Sequence, residues 1–600
     1  MADLKAYFSL GSCSFGNWLD SRHIVYTRTG PEGKSIITQD LETGAQTTLF
    51  NTKESLRALY VAKNGDVFFG MDNGGAENLQ IHRIPREGGP IVAVTDDAST
   101  YHQLGGLAAD GTTLVVASNR RVKSTFDIVG IDLATGSQRV ILENSDNYNM
   151  PAGLSPCGRY LLVNKLMGAN NNPLWMVDIE TGAAAKTPPG SAHAADTHPV
   201  WKHDSSAFYY VSDFDSEFAY IAYYDLQSET GQKLLSYPWD VENLALSHDD
   251  RYLAFTVNEG GYTSLYVYDL TAGDYVSIPS PPKGTISGYV PMHWAPDEHK
   301  LLFAAAGATR AQNLWVLDVD GDSVRRATNS HMAGLTTADF CEPTLHSFKS
   351  FDGLEVPYFL YMPKGSKGNM PVMVDIHGGP EGQSVPGVSH KELLHYMVSQ
   401  GIAVVEPNIR GSSGYGKTYL HLDDVEKRLD SVTDIEYLVK HLVETGVADA
   451  KRIGVMGGSY GGFMTLSCAA RLPQLWCCAV CTVGMFNLVT FLENTSDYRR
   501  PHRESEYGTL AHHRDVLYHV SPIACVDNIR GPLMIIHGQN DPRVPVSESH
   551  QAAEYLAAHG VDVEMLIYPD EGHGLQKLDN QLDCYPKVMD FVFRSMKLEG

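Results

Sequence analysis

Six times between residues 40 and 318 an alternating apolar stretch ends on an aspartate that is followed by an aliphatic residue and, in most copies, a glycine. The copies are Asp40-Leu41-Glu42-Thr43-Gly44, Asp132-Leu133-Ala134-Thr135-Gly136, Asp178-Ile179-Glu180-Thr181-Gly182, Asp225-Leu226, Asp269-Leu270-Thr271-Ala272-Gly273 and Asp318-Val319-Asp320-Gly321. Successive aspartates are 92, 46, 47, 44 and 49 residues apart, and the first gap holds two units, with Arg83-Ile84-Pro85-Arg86-Glu87-Gly88 as a degenerate copy. A unit this short cannot bury a face alone, so the copies must stack on one another. Seven units of a mid-forties period, built from short strands, predict a seven-bladed β-propeller over residues 21–335, one four-stranded blade per unit. Second strands are legible at Gly158 to Val163 and Asp250 to Phe255. An array of β-sandwiches is the alternative, and it rarely repeats so regularly. Residues 1–20 remain an N-terminal segment of uncertain packing.

Past about residue 340 the pattern changes. Apolar runs at Val372 to Ile376, Ile402 to Val405, Ile453 to Met456, Ala479 to Val483, Leu533 to Ile536 and Val563 to Ile567 alternate with helical segments. One such segment carries Val432, Ile435, Leu438, Val439 and Leu442 at helical spacing and stops at Gly446. Strands that are apolar throughout are covered on both faces, so residues 340–600 are expected to form a doubly wound, mostly parallel sheet. The boundary falls near Phe340 to His346. Two domains agree with a length of 600 residues, more than one core usually organises.

The formal charge of −25 disfavours nucleic acid and anionic membrane surfaces as partners and favours small neutral or cationic ones. Met1-Ala2-Asp3-Leu4-Lys5 does not open a basic-then-apolar leader, and no apolar run approaches a membrane span, so the expectation is a cytoplasmic protein without a membrane partner. Self-association is left open. Cysteine is present nine times, and Cys478 and Cys481 have C-x-x-C spacing. In a buried strand that spacing sends the two side chains to opposite faces, which favours core cysteines over a redox or metal pair.

Gly457-Gly458-Ser459-Tyr460-Gly461-Gly462 fits G-x-S-x-G between an apolar run and a helix-like segment, the context of a nucleophile elbow. A serine hydroxyl needs a base to take its proton and a carboxylate to hold that base. Asp541 follows the run Leu533 to Ile536, and His573 follows Val563 to Tyr568. Both lie just past a strand, where open α/β sheets collect catalytic groups, and the order Ser459, Asp541, His573 is that of an α/β-hydrolase. The charge on a tetrahedral intermediate requires fixed N–H donors. The residue after the nucleophile, Tyr460, supplies one, and Gly379 in the glycine-rich turn His377-Gly378-Gly379-Pro380 is the candidate for the other.

These segments, together with Asn408-Ile409-Arg410-Gly411-Ser412-Ser413-Gly414-Tyr415-Gly416 and His537 to Pro545, give the chain a resemblance to the prolyl oligopeptidase family of serine peptidases, and within it to the acylaminoacyl-peptidase-like branch. The resemblance covers both halves and implies a propeller that caps a catalytic domain. It implies Ser459, Asp541 and His573 as the triad, and Arg543 as a contact to a peptide carbonyl beside the scissile bond. Tyr415 matches a tyrosine that helps bind the oxyanion in some branches, or else packs. Phe486, Phe491 and Val544 are candidate walls of the pocket for the side chain before the cut, and equally candidates for the core. Dipeptidyl-peptidase relatives hold a substrate amine with an adjacent glutamate pair, and no Glu-Glu occurs in this chain. Asp213, Asp215 and Glu217 are read instead as a solvated turn.

The reading is a serine peptidase acting on short or N-blocked peptides through an acyl-enzyme, with small peptide or acyl substrates and no metal or cofactor. An esterase, amidase or aminopeptidase with the same triad is the first alternative. An inactive hydrolase domain joined to a propeller interaction module is the second.

Overall fold

The computed structural model describes residues 3–598 apart from 87, 147, 169–170, 189–192 and 289, so Glu87 of the degenerate repeat lies outside the described residues. Among the described residues seven antiparallel sheets follow one another between Ser12 and Arg326, each with its strands in chain order. Blade 1 consists of Ser12–Trp18, His23–Gly30, Gly33–Asp40 and Gln46–Thr52. In blade 7 the inner strand is split into Thr285–Ile286 and His293–Trp294, both paired to Lys300–Gly307.

The repeated aspartate has the same place in six of the seven blades; in blade 2 the third strand ends at Ile84. Asp40, Asp132, Asp178, Asp225, Asp269 and Asp318 each end the third strand. The Asp40 carboxylate accepts the backbone N–H groups of Glu42 and Thr43 at 2.8 and 3.1 Å, and Asp178 and Asp269 do the same two and three residues on. Such a side chain closes the turn by standing in for a backbone acceptor. The glycine then takes the left-handed conformation that reverses the chain, with φ of 73°, 71°, 75° and 71° at Gly44, Gly136, Gly182 and Gly273. An arginine at the start of the second strand pairs with the same carboxylate in three blades: Arg22 with Asp40, Arg159 with Asp178, Arg251 with Asp269.

The ring closes by packing, without exchange of a strand: Trp18, Ile24, Tyr26 and Ile37 of blade 1 share a core with Leu302, Ala304, Leu314 and Val316 of blade 7. This places the start of the propeller earlier than the expected residue 21. Ser12–Trp18 is the innermost strand of blade 1, and its polar, glycine-containing sequence concealed it. A Cβ at Gly16 would stand 2.6 Å from the Leu314 side chain, so the strand's character is set by blade 7 and not by its own pattern. The helix before it belongs to the other domain. Leu4–Phe8 is a short helix whose Leu4 and Phe8 join the core of the C-terminal domain, where Phe8 stacks on Tyr585 at 4.4 Å. The chain therefore crosses between domains twice, and Gly11 N–H donates to the His331 carbonyl at 2.7 Å where the two crossings meet.

The C-terminal domain is an eight-stranded sheet. In chain order its strands are β1 (Thr344–Lys349), β2 (Glu355–Tyr361), β3 (Met370–Ile376), β4 (Ala403–Pro407), β5 (Ala448–Gly458), β6 (Cys478–Thr482), β7 (Leu533–Gly538) and β8 (Val563–Tyr568). The spatial order is β1-β2-β4-β3-β5-β6-β7-β8; the β1–β2 and β2–β4 pairs are antiparallel and every other pair is parallel. One face is covered by Arg428–Glu444 and Tyr460–Arg471, the other by Glu392–Ser399 and Leu578–Met596. Cys481 packs on the first face and Cys478 on the second, as their spacing in a strand requires. This is the α/β-hydrolase arrangement, and the carboxyl ends of β3, β5, β7 and β8 face the propeller.

Candidate active site

Ser459 sits between β5 and the helix Tyr460–Arg471 with φ 60° and ψ −118°, a conformation that costs a non-glycine residue on the order of 1–3 kcal/mol. The glycines around it make the turn sterically feasible. A Cβ at Gly461 would stand 1.9 Å from the Ile376 carbonyl oxygen, one at Gly462 2.6 Å from Gly484 Cα, and one at Gly457 2.6 Å from the Gly461 carbonyl. The helix is thus pressed against the ends of β3 and β6, and Ser459 is held by its N–H donating to Thr482 O at 2.9 Å.

Asp541 and His573 meet beyond the ends of β7 and β8, with 2.7 Å between Asp541 Oδ2 and His573 Nδ1. The other oxygen, Oδ1, accepts the N–H groups of Arg543 at 2.8 Å and Val544 at 3.1 Å. Burial pushes this carboxyl up, but the two imidazoles of His573 and His537 outweigh it and hold it well below the usual carboxylate range. His537, which the sequence pattern did not single out, lies 3.3 Å from Asp541 Oδ2 and is fully buried, with its Nε2 2.9 Å from the Val544 carbonyl and its Nδ1 2.7 Å from Ser549 Oγ. The His573 loop is pinned by Glu571, whose carboxylate accepts the N–H groups of Gln576 and Lys577.

The turn His377 to Pro380 runs beside Ser459: a Cβ on Gly378 would be 3.4 Å from Ser459 Cβ. Gly379 has φ 140°, and a Cβ there would meet the Glu381 and Gly382 nitrogens at 2.3 and 2.4 Å, so only glycine fits. Its carbonyl accepts from Arg503 Nη1 at 3.0 Å, and Arg503 pairs with Glu381 at 3.2 Å. His377 faces Ser412 Oγ at 2.8 Å, and burial pushes its pKa down to about 4, so it is neutral. The Tyr460 side chain points away into a buried network, its hydroxyl donating to Asp423 at 3.0 Å beside Arg428.

The remaining candidates divide. Arg543 reaches across to the propeller, where Nε donates to Glu77 Oε1 at 2.8 Å and Nη2 lies 2.7 Å from the same oxygen; Arg499 is 3.9 Å from Oε2. Burial raises the Glu77 carboxyl, yet Arg543 and then Arg499 overcome this and leave it below its ordinary value. Around the pair is a cavity of about 280 Å³ lined also by Asp72, Tyr101, Tyr148 and Tyr498. The Tyr415 hydroxyl accepts from Asn408 Nδ2 at 2.9 Å and its ring packs on Trp239 of the propeller, a packing position. Phe486, Phe491 and Val544 are all buried in the sheet's main core.

The expected solvated turn holds Asp215 and Glu217, both exposed, whereas Asp213 is buried. Glu217 accepts from Thr418 N and Oγ1, both at 2.8 Å, and Asp213 lies 3.4 Å from Lys417 Nζ, so blade 5 is clasped to the hydrolase domain; Asp215 is exposed. The sequence carried no signal for this, because the partners are about two hundred residues away. Asp213 and Glu217, with Asp240 and Glu242, line a second interdomain chamber of about 540 Å³ that reaches Gly379 and Arg503.

Residues 388–599 match the model of the prolyl oligopeptidase family. Dipeptidyl peptidase family member 6 of Caenorhabditis elegans is 33% identical over 227 residues, 37% of this chain and 30% of that protein. Dipeptidyl aminopeptidase BIII of Pseudoxanthomonas mexicana is 30% identical over 244 residues, 38% of this chain and 35% of that protein. The acylamino-acid-releasing enzyme of Arabidopsis thaliana is 28% identical over 235 residues, 38% of this chain and 30% of that protein. The matched stretch thus spans about a third of the length of these relatives. Solved structures with the same fold include a Mycobacterium tuberculosis puromycin-hydrolyzing peptidase, at TM-score 0.85 and 21% identity over 100% of this chain and 96% of the other. Another is the Pyrococcus horikoshii acylaminoacyl peptidase, at TM-score 0.76 and 20% identity over 100% and 98%. With its propeller, its hydrolase sheet and the match over residues 388–599, the chain has the fold of these peptidases and is similar to the prolyl oligopeptidase family over its C-terminal domain.

Proposed function

We propose that the chain is a serine peptidase that hydrolyses short or N-blocked peptides through an acyl-enzyme on Ser459. The observation that carries this reading is the 2.7 Å contact of Asp541 Oδ2 with His573 Nδ1, taken together with a serine held in a strained elbow. With Nδ1–H donated to a carboxylate that stays ionised, Nε2 is the free basic nitrogen. Ser459 Oγ attacks the scissile carbonyl carbon and gives its proton to His573 Nε2. The N–H groups of Tyr460 and Gly379 hold the oxyanion, each such donor being worth roughly 3 kcal/mol. The imidazolium then protonates the leaving amine as the C–N bond breaks. Water, deprotonated by the same nitrogen, releases the acid and restores Ser459. These steps use only the chain and water.

A blocked or short substrate is favoured by the state of Glu77. A carboxylate already paired with Arg543 and Arg499 is a poor site for a free ammonium group. In this reading Arg543, anchored by Glu77, donates to a substrate carbonyl. The names of the relatives divide between dipeptide release and release of acylated residues, and the engaged Glu77 favours the second for this chain. Size selection follows from the loop of blade 2, whose Gly75 lies so close that a Cβ on it would stand 2.3 Å from the Gly572 nitrogen beside His573. Free thiols at every described cysteine suit a reducing compartment, and we assign the chain to the cytoplasm on that ground. Digestion of a peptide library in N-acetylated and free forms, read by mass spectrometry, tests the reading. Preferred cleavage of short acetylated members is expected, and exclusive dipeptide release from free termini overturns it.

A further inference from the structure

On the face of the propeller turned away from the hydrolase domain, the turns of blades 6 and 7 bring together two histidines and a carboxylate. Asp240 and Glu242, at the start of the inner strand of blade 6, line the chamber under the hydrolase domain, so the turn after Leu246 lies at the far end. That turn carries His248 and Asp249, and the equivalent turn of blade 7 carries His299. One ring nitrogen of His248, one of His299 and one oxygen of Asp249 all lie within 4.8 Å of one another.

We propose that His248, Asp249 and His299 form a structural transition-metal site that ties blade 6 to blade 7, with Zn²⁺ as the ion that fits best. Two imidazoles and one carboxylate, with water in the fourth position, are a borderline-soft tetrahedral donor set that suits zinc and disfavours calcium or magnesium. Donors on one such ion stand roughly 3.3 Å apart, which small side-chain rotations reach from the present separations. The surroundings are those of a ligand set. His299 Nδ1 lies 2.8 Å from Asp320 Oδ2, which fixes Nε2 as the nitrogen turned toward Asp249, at 3.1 Å. A carboxylate behind a metal-binding imidazole is the usual support of such a ligand. Asp249 Oδ1 is occupied by Ser247 Oγ at 2.6 Å and Arg251 N at 3.2 Å, leaving Oδ2 for the site. His248 stacks on His299 at 5.2 Å, and its Nδ1 is buried without a hydrogen-bond partner. Blades 5 and 6 make a simpler contact, His203 to Asp250 at 2.7 Å, which serves as an internal control.

The test uses the full chain without a histidine tag, stripped with chelator and titrated with ZnCl₂ by calorimetry, and with Co²⁺ read by visible absorption. One equivalent is expected to bind at low-micromolar metal, to give the intense bands of tetrahedral cobalt and to raise the propeller's melting temperature. His248→Ala and His299→Ala lose that equivalent, Asp320→Asn weakens it tenfold to a hundredfold, and His203→Ala leaves it intact. Peptidase activity is unchanged in His248→Ala. No binding by the parent, or equal stoichiometry in parent and the His248→Ala/His299→Ala double variant, overturns the proposal.

Discussion

Arg543 and Glu77 are 466 residues apart in the chain and form a two-pronged ion pair, at 2.8 and 2.7 Å, across the gap between the hydrolase domain and the propeller. The pair fixes the guanidinium two residues beyond Asp541. A charge-assisted hydrogen bond from Arg543 to a peptide carbonyl is worth roughly 1.5–3 kcal/mol, so Arg543→Ala is expected to lower kcat/KM for a peptide roughly tenfold to a hundredfold. A small nitrophenyl ester lacks that carbonyl and should lose much less. Equal losses on both substrates would assign Arg543 to the scaffold.

Tyr498 is another tie between the domains. It leaves the hydrolase loop and is buried in the core of blades 3 and 4, against Tyr101, Phe126 and Tyr148 with ring centroids 6.1, 5.3 and 5.1 Å away. Truncating a buried aromatic side chain costs about 3–5 kcal/mol. Tyr498→Ala should therefore loosen the interface and admit longer substrates. The check is a ladder of peptides of increasing length: the variant should cut members that the parent spares, and an unchanged length limit would show that this contact does not restrict access.

Glu242 gives the chain a pH dependence that can be isolated. Burial pushes its pKa from 4.5 to about 7, with Asn258 lowering and Asp240 raising it further. Between those values the folded chain holds a proton that the unfolded chain has released. Stability contributed by the protonated form is complete below the unfolded value and falls as pH rises through the window, by on the order of 3 kcal/mol. Glu242→Gln removes the titration, so the variant's melting temperature should gain on the parent's between pH 5 and 8. Parallel curves would show that the carboxyl titrates as if exposed.

Features with a local cause could be read from the sequence, and features caused by distant contacts could not. The aspartate repeat was legible because each copy meets the same need in its own turn, as Asp40 does for Glu42 and Thr43. The sheet strands were legible because burial on both faces leaves them apolar throughout. Ser12–Trp18 was hidden because blade 7 completes it. In the site, the positions of Ser459, Asp541 and His573 after three strands follow from motif and order. Glu77, Tyr498 and His537 gave no such signal. Their surroundings come from the other domain or from a fold in the chain, and Glu217 looked like any surface acid until Thr418 was brought to it.

The most direct measurement of the central claim is covalent labelling by a fluorophosphonate together with peptide turnover, on the parent and on Ser459→Ala. Members of a triad act as a unit whose loss costs on the order of 10⁴ to 10⁶ in rate. The parent should be labelled at Ser459, and the variant should be unlabelled, folded by circular dichroism and slower by several orders of magnitude. Labelling that persists in the variant, or turnover within about tenfold of the parent with an unchanged spectrum, contradicts the account.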